Sequence, residues 1–312
     1  GMTARVVFMG TPSFAVPSLK QLAERHDVVA VVTVRDRPAG RGRRVRASPA
    51  KEAALAGGIA VLQPDSFREQ SEVERIRALE PDIIVVAAYG KILPGSVLEI
   101  PPQGTVNVHP SLLPRHRGAS PVASSILAGD PETGVTLILM DEGMDTGPIL
   151  AQRSMAIRES DTRGTLTDRL ASLGADLLGE TLPVWLSGQL EARPQDESQA
   201  TYTERLAKGD GKIDWRRKAA AIARQVRAYH PWPGAFTHWG GRQVKILAAR
   251  AAAGGGEPGK VMEAEGGAAI VAGDGRLALE EVQLEGRRSM NIAQFLRGHP
   301  GFLGARLGDS HG

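Results

Sequence analysis

The first half of the chain alternates two textures. Near-continuous β-branched runs, RVVFM (5–9), DVVAVVTV (27–34), DIIVVAAY (82–89), GTVNVHP (104–110) and GVTLILM (134–140), are separated by segments with helical spacing. Runs that are apolar at almost every position suit strands covered on both faces, the environment of a parallel sheet. The stretches 14–25, 48–56, 67–79 and 120–128 read as helices. A longer helix over 165–186 keeps Leu166, Leu170, Leu173, Leu177 and Leu178 on one face. Strand and helix in alternation predict an α/β domain built on a doubly wound, mostly parallel sheet. In such sheets ligands gather outside the carboxyl ends of the strands, so the residues closing each run are the ones to inspect.

The texture then changes. Residues 187–212 are polar, lack hydrophobic periodicity and read as a linker. Beyond them lie a helical piece over 216–228, the aromatic cluster YHPWPGAFTHW and several short strands punctuated by glycine, which predict a second, smaller β-barrel domain. The expected limits are 2–190 for the α/β domain, 191–208 for the linker and 209–312 for the barrel. Charge is uneven: from Gly209 onward there are 15 lysines and arginines against 10 acids, in a chain whose net charge is only +3. Lys212, Arg216, Arg217, Lys218, Arg224 and Arg227 fit a solvated helix face or a nucleic-acid surface. Of Trp232, Phe236 and Trp239, at least two are expected in the barrel core. Without cysteine there is no disulfide, no thiolate metal site and no cysteine nucleophile. The apolar run at the N-terminus is too short for a signal peptide or a membrane span, so a soluble, cytoplasmic protein is expected.

Candidate chemistry sits where the runs end. GTPSF after the first run lacks the G-x-G-x-x-G spacing, and no acid closes the second run, which disfavours a dinucleotide site. In NVHPSLLPRHRG, Asn107 and His109 lie two apart on a strand and project from one face at its carboxyl end. An amide and an imidazole placed there can hold a carbonyl oxygen as it becomes an oxyanion, although a strand-end histidine is more often structural. Pro110 and Pro114 bracket SLL in a rigid loop whose backbone groups could serve a polar ring system. Asp145, in MDEGMDTGPIL, is either an ordinary turn residue or a carboxylate beside His109 that raises its pKa and orients it. His109 and His116 lack ligand-like spacing, and no metal is expected. The remaining oddity is RDRPAGRGRRVR (35–46), six arginines following directly on the second run.

As a set, NVHPSLLPRHRG followed some thirty residues later by MDEGMDTGPIL is similar to the 10-formyltetrahydrofolate-dependent formyltransferases. FMGTPSFAVPSL, DRPAGRGRR, AAYGKILP and KIDW with YHPWPGAF extend the resemblance through nearly the whole chain, toward the branch that modifies a tRNA. The resemblance implies a Rossmann-like formyltransferase domain with an OB-like second domain. It implies 10-formyltetrahydrofolate as formyl donor, no metal, no covalent enzyme intermediate, and initiator methionyl-tRNA as acceptor, hence a role in translation initiation. Asn107, His109 and Asp145 become the catalytic triad, with Asn107 and His109 donating to the oxyanion and Asp145 either holding the imidazole charged and oriented or accepting the amine proton through water. Folate contacts are implied at Ser111, Leu112, Leu113, Pro114, Tyr89, Gly90, Ile92, Leu93, Asp141 and Glu142. Contacts to tRNA are implied at Arg37, Arg41, Arg43, Arg44, Lys212, Arg216 and Arg217, and a monomer is expected.

The alternative is a formyltransferase of the same superfamily acting on a small amine, either a nucleotide-linked aminosugar or a ribonucleotide. A small acceptor has no use for the six-arginine loop, whereas phosphates do. A non-enzymatic nucleic-acid-binding module is disfavoured by the complete triad, and an oxidoreductase by the missing dinucleotide fingerprint. Two positions depart from the family pattern. Val34-Arg35 stand where Gln-Pro is common, predicting a more mobile entry to the basic loop, and His116 stands where an aromatic is common.

Overall fold

In the computed structural model, which describes residues 3–40, 42 and 44–308, the chain divides into two compact units. The first takes the chain up to Pro121 with Glu132–Ala156 and Thr167–Thr203. The second takes Val122–Pro131, Ile157–Leu166 and the chain from Glu204.

Strands of the first unit are, in chain order, β1 (Arg5–Gly10), β2 (Asp27–Val32), β3 (Arg37–Ala39), β4 (Arg44–Arg46), β5 (Val61–Leu62), β6 (Ile83–Ala87), β7 (Thr105–His109), β8 (Arg117–Gly118), β9 (Glu132–Leu139), β10 (Ile149–Ala156) and β11 (Tyr202–Thr203). Helices α1 (Ala15–Arg25), α2 (Pro49–Ala56), α3 (Gln70–Ala78) and α4 (Gly95–Leu98) follow their strands, and α5 (Pro121–Leu127) and α6 (Arg163–Leu186) carry residues of both units. The main sheet runs β10-β9-β7-β6-β1-β2-β5. Its members from β7 to β5 are parallel, as the unbroken apolar runs predict. Val7, Phe8, Ile84 and Val85 are wholly buried, each worth roughly 1.5–3 kcal/mol of transfer free energy.

Two strands differ from expectation. β9, the run at 134–140, is antiparallel to β7, and β10 is an unanticipated strand antiparallel to β9. Hydrophobicity reports burial on both faces and is blind to strand direction. β10, at the sheet edge, alternates half-buried and exposed positions over most of its length and carries no continuous run.

Helix α6 fixes which way β7 presents its side chains. A Cβ at Gly174 would stand 2.9 Å from Val108, so only the bare glycine lets α6 lie this close to the sheet. Val108 therefore faces α6, and by strand alternation Asn107 and His109 emerge on the opposite face.

The polar segment expected to be a free linker is bound instead. Arg193 and Ile149 exchange backbone hydrogen bonds of 2.7 and 2.9 Å, and β11 pairs in parallel with β8. These contacts are polar, so hydrophobic periodicity carries no trace of them. The basic loop carries a β3–β4 hairpin in register Arg37↔Arg46, both strands exposed. Its entry is anchored rather than mobile. Arg35 pairs with Asp65 at 2.6 Å, Lys51 with Asp36 at 2.9 Å, and the Gln63 amide donates to Asp36 and to the Val34 carbonyl. Side chains here replace the restraint that a proline would supply.

The second unit adds α7 (Ala219–Ala228), β12 (Ala235–Trp239), β13 (Arg242–Ala252), β14 (Val261–Ala264), β15 (Gly267–Val271), β16 (Arg276–Leu284), β17 (Ser289–Asn291) and α8 (Ile292–Gly298). Its antiparallel sheet runs β12-β13-β16-β15-β14, with β17 added to β16. Register shifts on either side of Ala248 bend β13 across a core of Ile213, Trp215, Ile222, Val244, Ile270 and Phe302. Trp239 packs edge-on to Phe302 at 5.2 Å and Phe236 edge-on to His238 at 5.8 Å, while Trp232 is 46% exposed.

Candidate active site

Asn107 and His109 close strand β7, and Asp145 lies in the loop between β9 and β10. That loop is shaped from within: Asp141 Oδ1 accepts from the Gly143 N–H at 3.0 Å and from the Thr146 hydroxyl at 2.6 Å. Asp145 sits at φ +57, in the left-handed region, where a non-glycine residue costs about 1–3 kcal/mol and needs surrounding support. The backbone N–H of Gly118 donates to its Oδ2 at 2.8 Å. Oδ1 is left facing His109 Nδ1 at 3.7 Å.

His109 is 5% exposed, and its Nε2 lies 3.1 Å from the carbonyl oxygen of His116. A carbonyl can only accept, so Nε2 carries the hydrogen. Nδ1 then faces the Asp145 carboxylate. Burial pushes the imidazole pKa below its ordinary value, and the Asp145 carboxylate and the His116 carbonyl oppose that shift without reversing it. Burial and the carboxylate thus act on the ring in opposite directions, with burial the larger. Asn107 is half-buried, and among the described residues its amide has no protein partner.

The residues expected to meet folate divide into supports and open positions. Tyr89 is 2% exposed and packs with Phe67 in the core. Its hydroxyl has no hydrogen-bond partner among the described residues, and burial pushes the phenol pKa up to about 12. Leu93 lies in the same core. The SLLP backbone does not offer free groups in the way expected. Leu113 N–H donates to Thr136 at 3.0 Å, its carbonyl accepts from Gln152 at 2.9 Å, and the Ser111 hydroxyl donates to the Arg115 carbonyl at 2.8 Å. A loop without secondary structure has satisfied itself through side chains from β9 and β10. Gly90, Ile92, Asp141 and Glu142 remain exposed, with Leu112 and Pro114 half-buried. Ile92 and Met144 are exposed apolar side chains, at 84% and 65%, on loops that meet where Glu142 packs over Gly95.

Of the arginines expected to meet tRNA, Arg37 and Arg44 are exposed on the hairpin, whereas Arg41 and Arg43 lie outside the described residues. Lys212, Arg216 and Arg217 are exposed in the second unit, with Arg216 paired to Asp214 at 3.0 Å. Arg224 and Arg227 instead donate to the carbonyls of Leu127 and Asp161 within that unit. Sequence reasoning missed Thr136, Gln152, Arg117 and Gln195 altogether. Thr136 and Gln152 signal only as polar residues in strands, and Arg117 and Gln195 sit in polar stretches that carry no periodicity.

The family comparisons agree with this geometry. Residues 4–182 match the model described as formyl transferase, and 205–300 match the one described as formyl transferase, C-terminal domain. A Rossmann-like α/β domain with a strand-end Asn, His and Asp thus defines the class, and the chain belongs to the formyl transferase family. Within that family it is 49% identical to the methionyl-tRNA formyltransferase of Roseiflexus sp. (strain RS-1), over 99% of this chain and 97% of that one. Among solved structures, an N-formyltransferase from Helicobacter canadensis, in complex with folinic acid and dTDP-3-aminofucose, shares the fold at TM-score 0.67 and 21% identity. The match covers 89% of this chain and 99% of that one. HypX from Aquifex aeolicus, in complex with tetrahydrofolic acid, shares it at TM-score 0.66 and 19% identity. That match covers 95% of this chain but 47% of HypX, so the chain spans about half of that protein.

Proposed function

We propose that this protein transfers a formyl group from 10-formyltetrahydrofolate to the free amino group of initiator methionyl-tRNA, in the cytoplasm and as a monomer. One observation supports the reading: the Asn107 amide, without a protein partner among the described residues, the buried His109 imidazole and the Asp145 carboxylate are gathered at the end of β7. In the reaction the amine nitrogen bonds to the formyl carbon, the bond from that carbon to N10 breaks, the amine loses a proton and N10 gains one. Asn107 donates its amide to the formyl oxygen as negative charge grows there, and a donor of this kind is worth about 3–4 kcal/mol in the transition state. His109 accepts the amine proton at Nδ1, and Asp145 Oδ1 at 3.7 Å stabilises the resulting cation.

The folate lies along the exposed side chains of Ile92 and Met144. Ser111, Leu112, Leu113, Pro114, Gly90, Asp141 and Glu142 shape its seat, and Tyr89 and Leu93 back that seat from the core. Arg37, Arg41, Arg43 and Arg44, with Lys212, Arg216 and Arg217, meet phosphates of the tRNA, which position an RNA without reading its sequence. The catalytic domain takes residues 2–190 and 209–312 form the tRNA-binding domain; of the segment between, the residues up to Thr203 belong to the first unit. Radiolabelled formyl transfer, measured on methionyl-tRNA beside a nucleotide-linked aminosugar and a ribonucleotide amine, tests the acceptor. Only the tRNA is expected to be labelled; comparable labelling of a small amine overturns the reading.

A further inference from the structure

Gln195 lies in the polar segment that follows α6, and its side chain reaches the Asp145 turn. Its Nε2 donates to the carbonyl oxygens of Asp145 at 2.8 Å and of Gly147 at 2.7 Å. Its Oε1 accepts from Arg117, at 2.9 Å from Nη2 and 3.3 Å from Nε. A guanidinium only donates and a carbonyl only accepts, so these neighbours admit one orientation of the Gln195 amide. Arg117 is itself held. Its side chain is 1% exposed, pairs with both carboxylate oxygens of Glu197 at 2.7 and 2.9 Å, and lies 5.8 Å from the Tyr202 ring centroid. Strand β8, which carries Arg117, also supplies the Gly118 N–H that binds Asp145 Oδ2.

Asp145 is thus gripped at two places from within the first unit, at its carboxylate by Gly118 and at its backbone by Gln195. Both grips act on a residue in the left-handed region, which relaxes toward commoner backbone angles once its own carbonyl and that of Gly147 are released. We infer that Gln195 is a positioning residue for formyl transfer. Oriented by Arg117 and Glu197, it holds the backbone of the Asp145 turn so that the carboxylate faces His109. Gln195 touches no reacting atom in this scheme; it acts only through Asp145. The inference rests on the assignment of Asp145 to the reaction.

The test is Gln195→Glu, which keeps the shape and the pairing with Arg117 but removes both donors to the turn. Steady-state kinetics should show kcat down about tenfold to hundredfold, with KM for 10-formyltetrahydrofolate and for methionyl-tRNA each within twofold of wild type. Glu197→Gln, changed at an exposed side chain, should show the same split with kcat down severalfold, and it carries the test should Gln195→Glu be insoluble. A kcat within twofold of wild type in the soluble variant, or a loss shared equally by kcat and both KM values, overturns the inference. Asp145→Asn is assayed alongside. If it is as active as wild type, the assignment of Asp145 has failed; if it is inactive while Gln195→Glu is normal, only the role of Gln195 has failed.

Discussion

Two loops that leave strands of the same sheet solve opposite problems. In the turn at 140–147 the main polar groups are committed: Asp145 to Gly118 and Gln195, Asp141 to Gly143 and Thr146. The β3–β4 hairpin instead leaves Arg37, Arg44 and Arg46 exposed at its surface, and places its side-chain hydrogen bonds at the root, through Asp36 and Val34. Proton transfer and oxyanion stabilisation fall off within an ångström of misplacement, so a catalytic loop must be pinned along its length. A polyanion's backbone is met over many ångströms by long cationic side chains, so a gripping loop needs reach and only its base must be fixed. Rigidity is placed where the chemistry is short-ranged.

The contrast is broken most severely at the pinned loop. Asp145→Asn should lower kcat on methionyl-tRNA by about 10³-fold, within the range of an acid–base group, with the fold intact by circular dichroism. Near-normal turnover would remove Asp145 from the reaction. Asn107→Ala should lower kcat by about 10²-fold, the loss of one oxyanion donor, with little change in KM. At the gripping loop the signature should be reversed. Alanine at Arg37 and Arg44 should raise KM for methionyl-tRNA about tenfold and leave folate KM alone. The slope of log affinity against log salt should flatten by roughly 0.7–0.9 for each phosphate that is no longer neutralised. Equal damage to folate binding would mean that the hairpin is a structural part of the sheet edge.

How much of this could be read from the residues follows the same divide between apolar and polar order. The parallel strands announced themselves because burial on both faces demands apolar runs, and α6 because its leucines repeat at helical spacing. Asn107, His109 and Asp145 were found through local spacing and family likeness. What stayed hidden was set by polar contacts distant in sequence. Gln195 bonds a turn fifty residues away, Gln63 anchors Asp36 across 27 residues, and Gln152 closes the SLLP loop from the neighbouring strand. Glutamine in a polar stretch looks the same whether it holds a turn or faces solvent. The pull of burial on His109 stayed hidden for a related reason, since the carboxylate beside it was visible in the sequence and the depth of burial was not.

Asp36→Asn tests the root of the hairpin, with a smaller expected effect. The carboxylate is held below its ordinary range first by the Lys51 and Gln63 hydrogen bonds, and losing its charge loosens the entry rather than the tips. KM for methionyl-tRNA should rise about twofold to threefold, with kcat and the salt slope unchanged. A changed slope would mean that the root itself contacts phosphate.

The smallest effect separates the two influences on His109. Burial lowers its pKa and Asp145 raises it, with burial the larger, so an NMR titration of the ring should have its midpoint below 6.5. Asp145→Asn removes the opposing carboxylate, and the midpoint should fall further. The sign carries over to stability. A ring whose folded pKa lies below its unfolded one contributes stability that is present above pH 6.5 and lost as the pH falls through the folded value. His26, lowered by burial and by Arg25, acts in the same direction. The melting temperature of wild type should therefore decline on the acid side of pH 6.5. A ring midpoint above 6.5 would reverse the ranking. The carboxylate would then dominate, and His109 would enter the reaction as a charged donor to the formyl oxygen in place of a neutral base.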